Sequence, residues 1–132
     1  MNNRELQKKL GEIAGELLRE KGYISFVDVF MKLGCLDPKD YEAWRMKRVP
    51  FLEKVIKVNL SKINFIMKTV RRNSSNGNLK ENWTSYKSLG KGKKALLQFS
   101  KGGDKSIEKS YATHFLRRQQ SDREAIGAES RD

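Results

Sequence analysis

The side chains that most often carry chemistry are scarce in this sequence. Its 132 residues include one histidine, His114, and one cysteine, Cys35. A soft-metal site needs several such ligands and no cofactor motif is present, so the sequence predicts neither a metal nor a cofactor. His114 lacks a nucleophile turn, and we favour a half-buried or surface histidine over a general base. We likewise favour a small buried apolar residue over a reactive thiol for Cys35, and predict no enzyme.

A short basic loop at residues 90–94 has the sequence Gly-Lys-Gly-Lys-Lys. It lacks the G-x-x-x-x-G-K-[ST] pattern, and no Ser or Thr follows its lysines to reach a metal ion, so nucleotide hydrolysis is excluded. Lys91, Lys93 and Lys94 can still contact phosphates without distinguishing sequence. A solvated hairpin tip explains the same residues equally well.

A second set of polar and basic residues recurs at helical spacing on a segment that contains no acid. The set is Lys54, Lys57, Ser61, Asn64, Lys68, Arg71 and Arg72. Its bases can neutralise phosphates, while its serine and asparagine can bond base edges or phosphates. The solvated face of an ordinary amphipathic helix is the alternative. Because glutamate partners at i,i+4 are missing, the pattern favours binding.

Residues 24–47 resemble the helix-turn-helix of bacterial regulators. The shared features are the apolar Val29, Phe30 and Leu33, Gly34 in the turn, Asp37-Pro38 at the start of the next helix, and Trp44-Arg45 near its end. The resemblance implies that Arg45, Lys47 and Arg48 can touch a nucleic-acid backbone.

Three longer phrases are similar to those of an uncharacterised bacterial protein family. They are VDVFMKLGCL, WRMKRVPFLEKVIKVNLSKI and FSKGGDKSIEKSYATHF. The resemblance covers about residues 22–116 and implies that these residues form the ordered unit. It implies no activity and no site residue.

Apolar spacing and capping signals predict four helices that position these residues. The first covers residues 5–20, Ser25 caps the second, and Asp37-Pro38 opens the third. Apolar residues from Leu52 to Val70 predict a fourth helix of about six turns, beginning at Pro50 and ending near Arg72.

The later part of the chain carries weaker signals. The polar run at 73–78 predicts an interruption, and residues 84–87 and 95–100 favour a β-hairpin. Residues 107–116 fit a helix or a strand equally well. We therefore predict a mainly α protein, a compact bundle of about four helices with a small C-terminal β-hairpin or extended appendage. A single domain would cover 1–118, with a helical front at 4–72, a basic appendage at 79–118 and a disordered tail at 119–132.

Charge is distributed unevenly along the chain. The net charge is +12, and residues 45–118 hold 19 Lys and Arg against four acids. Such a surface suits a polyanion. A lone cysteine leaves no intramolecular disulfide, and no apolar run approaches the roughly 20 residues that span a bilayer. These features predict a cytoplasmic protein without a membrane partner.

The function predicted on these grounds is a small basic nucleic-acid-binding protein that is not an enzyme and contacts mainly phosphates. DNA is slightly preferred over RNA, because a helix is available for a groove and no aromatic RNA-recognition motif is present. The alternative is a protein-interaction module that docks an acidic partner, which an exposed apolar strip around Trp44 or Trp83 would favour. The oligomeric state stays open.

Overall fold

The computed structural model describes residues 2–118, which form five α-helices, one short 3-10 helix and a three-stranded antiparallel sheet. In chain order these are α1 (Asn3–Glu20), β1 (Tyr23–Ser25), α2 (Phe26–Lys32), α3 (Pro38–Arg45), the 3-10 helix (Leu52–Val55), α4 (Leu60–Asn76), β2 (Lys80–Trp83), α5 (Lys105–Tyr111) and β3 (Thr113–Leu116). The mainly α prediction is confirmed, with five helices in place of four. The tail predicted at 119–132 lies outside the described residues.

The second helix begins at its predicted cap, Ser25, and the first begins two residues before its predicted start at residue 5. The Asn2 side chain accepts a hydrogen bond from the Glu5 amide at 2.9 Å, and Ser25 Oγ accepts one from the Asp28 amide at 3.1 Å. These bonds satisfy amides that have no partner inside the helix. Gly34 follows α2 at φ 81°, a left-handed conformation that glycine adopts without steric cost.

Helix α3 starts with Pro38 in its first turn and carries a central core residue, Trp44. Trp44 is fully buried, and its Nε1 donates to the Gln98 carbonyl at 2.7 Å. Its ring also packs on Tyr86 and Phe99, with centroid distances of 5.7 and 5.0 Å. A single aromatic side chain therefore ties the later part of the chain to the helical front.

The prediction of one long helix from Pro50 is wrong. The chain instead forms the 3-10 helix and then a break before α4, and the side chain of Asn59 caps α4 by accepting from the Lys62 amide at 2.8 Å. Leu52 and Ile56 are nevertheless buried. The apolar spacing continued across the break because both pieces cover the same core.

Helix α4 also ends later than the polar run at 73–78 predicts. It continues to Asn76, with Ser74 buried, and Gly77 is its C-cap. Packing of this last turn outweighs the turn propensity of its residues, since propensity is a weak prior against tertiary contacts.

The sheet has the order β1-β3-β2, and its strands are not those of the predicted hairpin. Within the proposed hairpin one isolated bridge forms, between Lys87 and Leu96. The ambiguous segment contains both structures, since α5 ends at Tyr111 and β3 begins at Thr113. Strand β3 lies between the other two and places His114 opposite Ser25 and Asn82.

Candidate functional site

Helix α4 places most of the predicted polar set on its outer face. Its inner face buries Ile63, Ile66, Met67 and Val70, and α4 packs against α1. Five residues of the predicted set lie on the outer side of α4 and form what we call the α4 basic face: Ser61, Asn64, Lys68, Arg71 and Arg72. All of these are exposed except Arg71, which is partly buried. With 3.6 residues per turn, these positions lie on the same side of the helix.

A groove of about 650 Å³ runs between α4 and residues 100–110. Asn64, Lys68 and Arg71 lie on its α4 side. Lys101, Ser106 and Ser110 lie on the opposite side, where the Ser106 hydroxyl donates to Asp104 Oδ1 at 2.6 Å. We call this feature the α4 groove. It brings basic and hydroxyl groups from distant parts of the sequence to one place.

Arg71 is held in a fixed position at the α4 groove. Its guanidinium donates to Ser110 Oγ and lies 5.5 Å from the centroid of the Phe26 ring. An arginine packed on an aromatic face keeps its charge while losing mobility. Arg71 thus joins α4 to α5, and its remaining donors stay next to the groove.

One carboxylate, Glu53, also lines the α4 groove. It accepts hydrogen bonds from the Lys101 amide at 3.2 Å and from the Tyr111 hydroxyl. Burial and this carboxylate both raise the pKa of Tyr111, so the phenol stays protonated. Glu53 therefore anchors the residues opposite α4.

Glu108 of α5 supports the same wall. Its two oxygens accept from the Phe99 amide at 2.7 Å, the Ser100 amide at 2.8 Å and Ser100 Oγ at 2.6 Å. Three bonds to one carboxylate form a strong local clamp, because hydrogen bonds to charged groups exceed neutral ones. The segment that carries Lys101 is thereby fixed to α5.

Lys54 and Lys57 do not belong to the α4 basic face. Lys54 is exposed on the 3-10 helix, and Lys57 lies in the break before α4. Lys57 forms an ion pair with Asp37, and that hydrogen bond raises the pKa of Lys57. The single stripe predicted from 54 to 72 is therefore wrong at its first two positions, since it assumed a continuous helix.

The predicted residues at the end of α3 and in the turn after it differ in their exposure. Lys47 and Arg48 are exposed, and Lys47 has φ 63° in the turn that follows the helix. Arg45 is partly buried between two aromatic rings, with its guanidinium 6.0 Å from Tyr41 and 5.6 Å from Tyr86. Arg45 is therefore removed from the open surface that its predicted backbone contact assumed.

The Gly-Lys loop, residues 90–94, contacts the end of α3. The Leu89 amide donates to the Arg45 carbonyl at 2.8 Å, and a Cβ on Gly90 would lie 3.1 Å from Met46 Cε. Three lysines of the loop are exposed: Lys91, Lys93 and Lys94. The basic residues thus form two groups, one at the α4 groove and one where this loop meets the end of α3.

Sequence reasoning missed the groove residues Lys101, Ser106 and Ser110. The Gly102-Gly103 turn before α5 is visible in the sequence, but its approach to α4 depends on the clamp by Glu108 and on the contact between Arg71 and Ser110. A contact between residues 39 positions apart, such as Arg71 and Ser110, leaves no local pattern in the sequence.

The two residues considered for catalysis lie in defined environments. His114 stacks on Tyr23 with ring centroids 5.0 Å apart and lies 2.9 Å from Tyr86 Oη through Nε2. Burial lowers the pKa of His114, which favours the neutral ring. Cys35 is buried, its Sγ donates to the Phe30 carbonyl at 3.4 Å, and burial raises the pKa of its thiol.

Within residues 2–118, no group of three or more His, Cys, Asp and Glu side chains is arranged to hold a metal ion. In the same part of the chain, no helix has both the length and the apolar character needed to cross a bilayer. No protein-family model, curated protein or solved structure matches the chain.

Proposed function

We propose that this chain is a small nucleic-acid-binding protein, not an enzyme, that contacts mainly phosphates and prefers DNA slightly over RNA. The observation that carries the proposal is the α4 groove with the adjoining α4 basic face. Exposed bases occur there beside side chains that can bond either phosphates or base edges.

Charge around α4 supports the proposal. Between residues 45 and 118 the excess is 19 bases minus four acids, or +15. No base of α4 forms an ion pair with another residue of 2–118, where the ion pairs seen involve Lys21, Lys32 and Lys57. Bases without acidic partners are available to displace counterions from a phosphate backbone.

The spacing on α4 also suits a phosphate chain. Asn64, Lys68 and Arg72 follow at intervals of four residues, or about 6 Å along the helix axis at 1.5 Å per residue. Lys101 adds a base from the opposite side of the groove. DNA is preferred because the deep, narrow major groove of A-form RNA excludes side chains from its bases.

A titration with matched variants tests the proposal. Fluorescence anisotropy would measure the affinity for a duplex DNA and a structured RNA at several salt concentrations. The triple variant Lys68→Ala, Arg72→Ala, Lys101→Ala should bind more weakly than the native chain. The control is Arg4→Ala, Lys8→Ala, Lys39→Ala, which removes three exposed bases of the same types from α1 and α3. Equal losses in both variants would mean that net charge, and not the groove, drives binding.

A protein-interaction module is the second candidate, and one surface favours it. A groove of about 460 Å³ lies between residues 83–86, residues 96–99 and α5. Trp83 and Leu96 on it are 57% and 70% exposed. Large apolar side chains at such exposure are typical of docking surfaces. Lys105 and Lys109 line the same groove and suit an acidic partner.

A comparison of polyanions separates the two candidates. Polyglutamate and duplex DNA would be titrated at equal salt against the native chain and against Trp83→Ser, Leu96→Ser. If the native chain and the double variant bind DNA equally and neither binds polyglutamate, the first candidate is supported. If the native chain binds polyglutamate but not DNA, and the double substitution removes that binding, the protein-interaction module would replace the nucleic-acid proposal.

A further inference from the structure

A third, polar cavity of about 350 Å³ lies on the Arg45 side of the molecule. Its walls come from the end of α1, from β1, α2 and α3, from residues 84–86 and from β3. Parts of the chain between residues 21 and 114 meet there. None of the residues that line this cavity lines the α4 groove.

Arg45 is the central group of the cavity. Its Nη1 donates to Tyr41 Oη at 3.2 Å, and it forms no ion pair with another residue of 2–118. Its Nε is buried and has no acceptor among those residues. A buried donor without a partner is uncommon in a folded protein, because the lost hydrogen bond to water is not replaced. Because Nε is closed to solvent, a ligand in the cavity would meet the Nη nitrogens of this guanidinium, whose planar end suits a planar or tetrahedral oxyanion.

The single acid in the cavity wall, Asp28, is already engaged. One of its oxygens accepts from Lys21 Nζ at 2.9 Å and the other from Ser25 Oγ at 2.6 Å. Burial favours the neutral form of His114, so the charged groups of the cavity are Lys21, Arg45 and Asp28. Their charges add up to about +1. The field inside therefore favours an anion.

Hydroxyl groups complete the wall. Thr84, Ser85 and Tyr86 line the cavity together with Arg45. Hydroxyls can donate to phosphate oxygens while an arginine binds two of them. A water molecule occupies about 30 Å³ in the liquid, so the cavity has room for a phosphate group with an organic substituent.

We propose that this cavity binds a phosphate monoester through Arg45, with hydroxyl donors from residues 84–86. The phosphate would belong to a small molecule or to the phosphorylated end of a nucleic-acid strand. The inference does not rest on the nucleic-acid proposal, because Arg45 lies apart from the α4 groove.

His114 offers a specific reporter for this site. It is the single histidine of the sequence and lies in the cavity wall. Its imidazole NMR signals would be followed in the full chain, without a polyhistidine tag, while inorganic phosphate replaces chloride at constant ionic strength. We expect a saturable movement of these signals. Binding should also raise the pKa of His114, because a new negative charge joins Asp28 in opposing the effect of Lys21. Signals that stay still or drift without saturation would overturn the proposal.

Variants of the wall test which group is responsible. Arg45→Gln should weaken phosphate binding at least about tenfold, as expected for loss of a charged hydrogen-bonding partner. Arg45→Lys keeps the charge but loses the fork, and should bind with intermediate strength. Thr84→Val provides a second variant with a small change of volume, and should weaken binding even if Arg45→Gln does not fold. Lys8→Ala, which removes an exposed base of α1 outside both the cavity and the α4 groove, is the control and should bind phosphate as the native chain does. If Thr84→Val and every folded Arg45 variant bind phosphate like the native chain, the site is not this cavity.

Two further titrations distinguish the source of the phosphate. Glycerol 3-phosphate is compared with inorganic phosphate, and a 5′-phosphorylated oligonucleotide with the same strand bearing a 5′-hydroxyl. Tighter binding of glycerol 3-phosphate supports a small phosphomonoester. A movement of the His114 signals with the phosphorylated strand alone supports a strand end. If neither ligand matches inorganic phosphate in affinity, the cavity excludes an organic substituent and the monoester assignment is wrong.

Discussion

Glu108→Gln should destabilise the fold more than any ordinary change of one surface charge. The Glu108 carboxylate accepts three hydrogen bonds, two from amides and one from a hydroxyl. A glutamine has one oxygen for these donors. If that oxygen faces Ser100, the side-chain amide faces the Phe99 amide, and two donors meet without an acceptor.

The cost can be estimated from these bonds. Two charged hydrogen bonds become neutral, and one buried donor loses its partner, so we expect a loss of about 2 to 4 kcal/mol in the free energy of unfolding. Urea unfolding followed by tryptophan fluorescence measures it, since Trp44 is fully buried in the native state. With a typical dependence of about 1.5 kcal/mol per molar urea, the midpoint should fall by roughly 1 to 3 M.

The control for this experiment is Glu12→Gln, the same change on an exposed residue of α1. It should alter the free energy of unfolding by less than about 0.5 kcal/mol. If Glu108→Gln changes the free energy of unfolding by no more than this limit, the three hydrogen bonds do not stabilise the fold. Residues 100–102 would then not form a fixed wall of the α4 groove.

Further predictions concern four single positions. Gly34→Ala should destabilise the protein by about 1 to 2 kcal/mol, because φ is 81° there, although a Cβ would meet no atom within 4 Å. Gly11→Ala inside α1 should instead stabilise the protein by about 0.5 to 1 kcal/mol. Urea unfolding measures both changes. Trp44→Phe should cost about 2 to 4 kcal/mol, measured by circular dichroism, because the Gln98 carbonyl loses its donor and the core loses volume. Burial holds the pKa of His114 below 6.5, so the unfolded chain binds a proton at higher pH and stability should fall as pH drops below about 6.5; an equally steep fall in His114→Gln would contradict this.

The helical front was predictable because its signals are local. Ser25 and Asp37-Pro38 mark helix starts, and Leu6, Leu10, Ile13 and Leu17 identify the buried face of α1. These features need only neighbouring residues. Their caps and spacing therefore gave nearly correct bounds for α1 to α3.

The sheet and the break before α4 could not be predicted in the same way. Strand β2 is exposed along its whole length and shows no alternation, and β1 and β3 pair over about 90 residues of sequence. Such pairings depend on the packing of the helices between them. The break was hidden because Leu52 before it and Ile63 after it are both buried, so the apolar spacing runs across it.

In the candidate site, too, some features follow from local spacing and others depend on tertiary contacts. Asn64, Lys68 and Arg71 follow from helical spacing alone. Their association with Lys101 depends on the tertiary contacts of Glu108 and of Arg71 itself. Likewise, the burial of Arg45 between two tyrosines depends on Tyr86, which is far along the chain.

The salt dependence of DNA affinity tests the central claim most directly. The slope of log K against log salt would be measured for the native chain and for the variant Lys68→Ala, Arg72→Ala, Lys101→Ala, from about 50 to about 200 mM salt. If each of the three bases neutralises one phosphate at about 0.9 per contact, the variant's slope should be about 2.7 smaller in magnitude than the native slope. Absence of native binding at low salt, or equal slopes for the two proteins, would contradict the account.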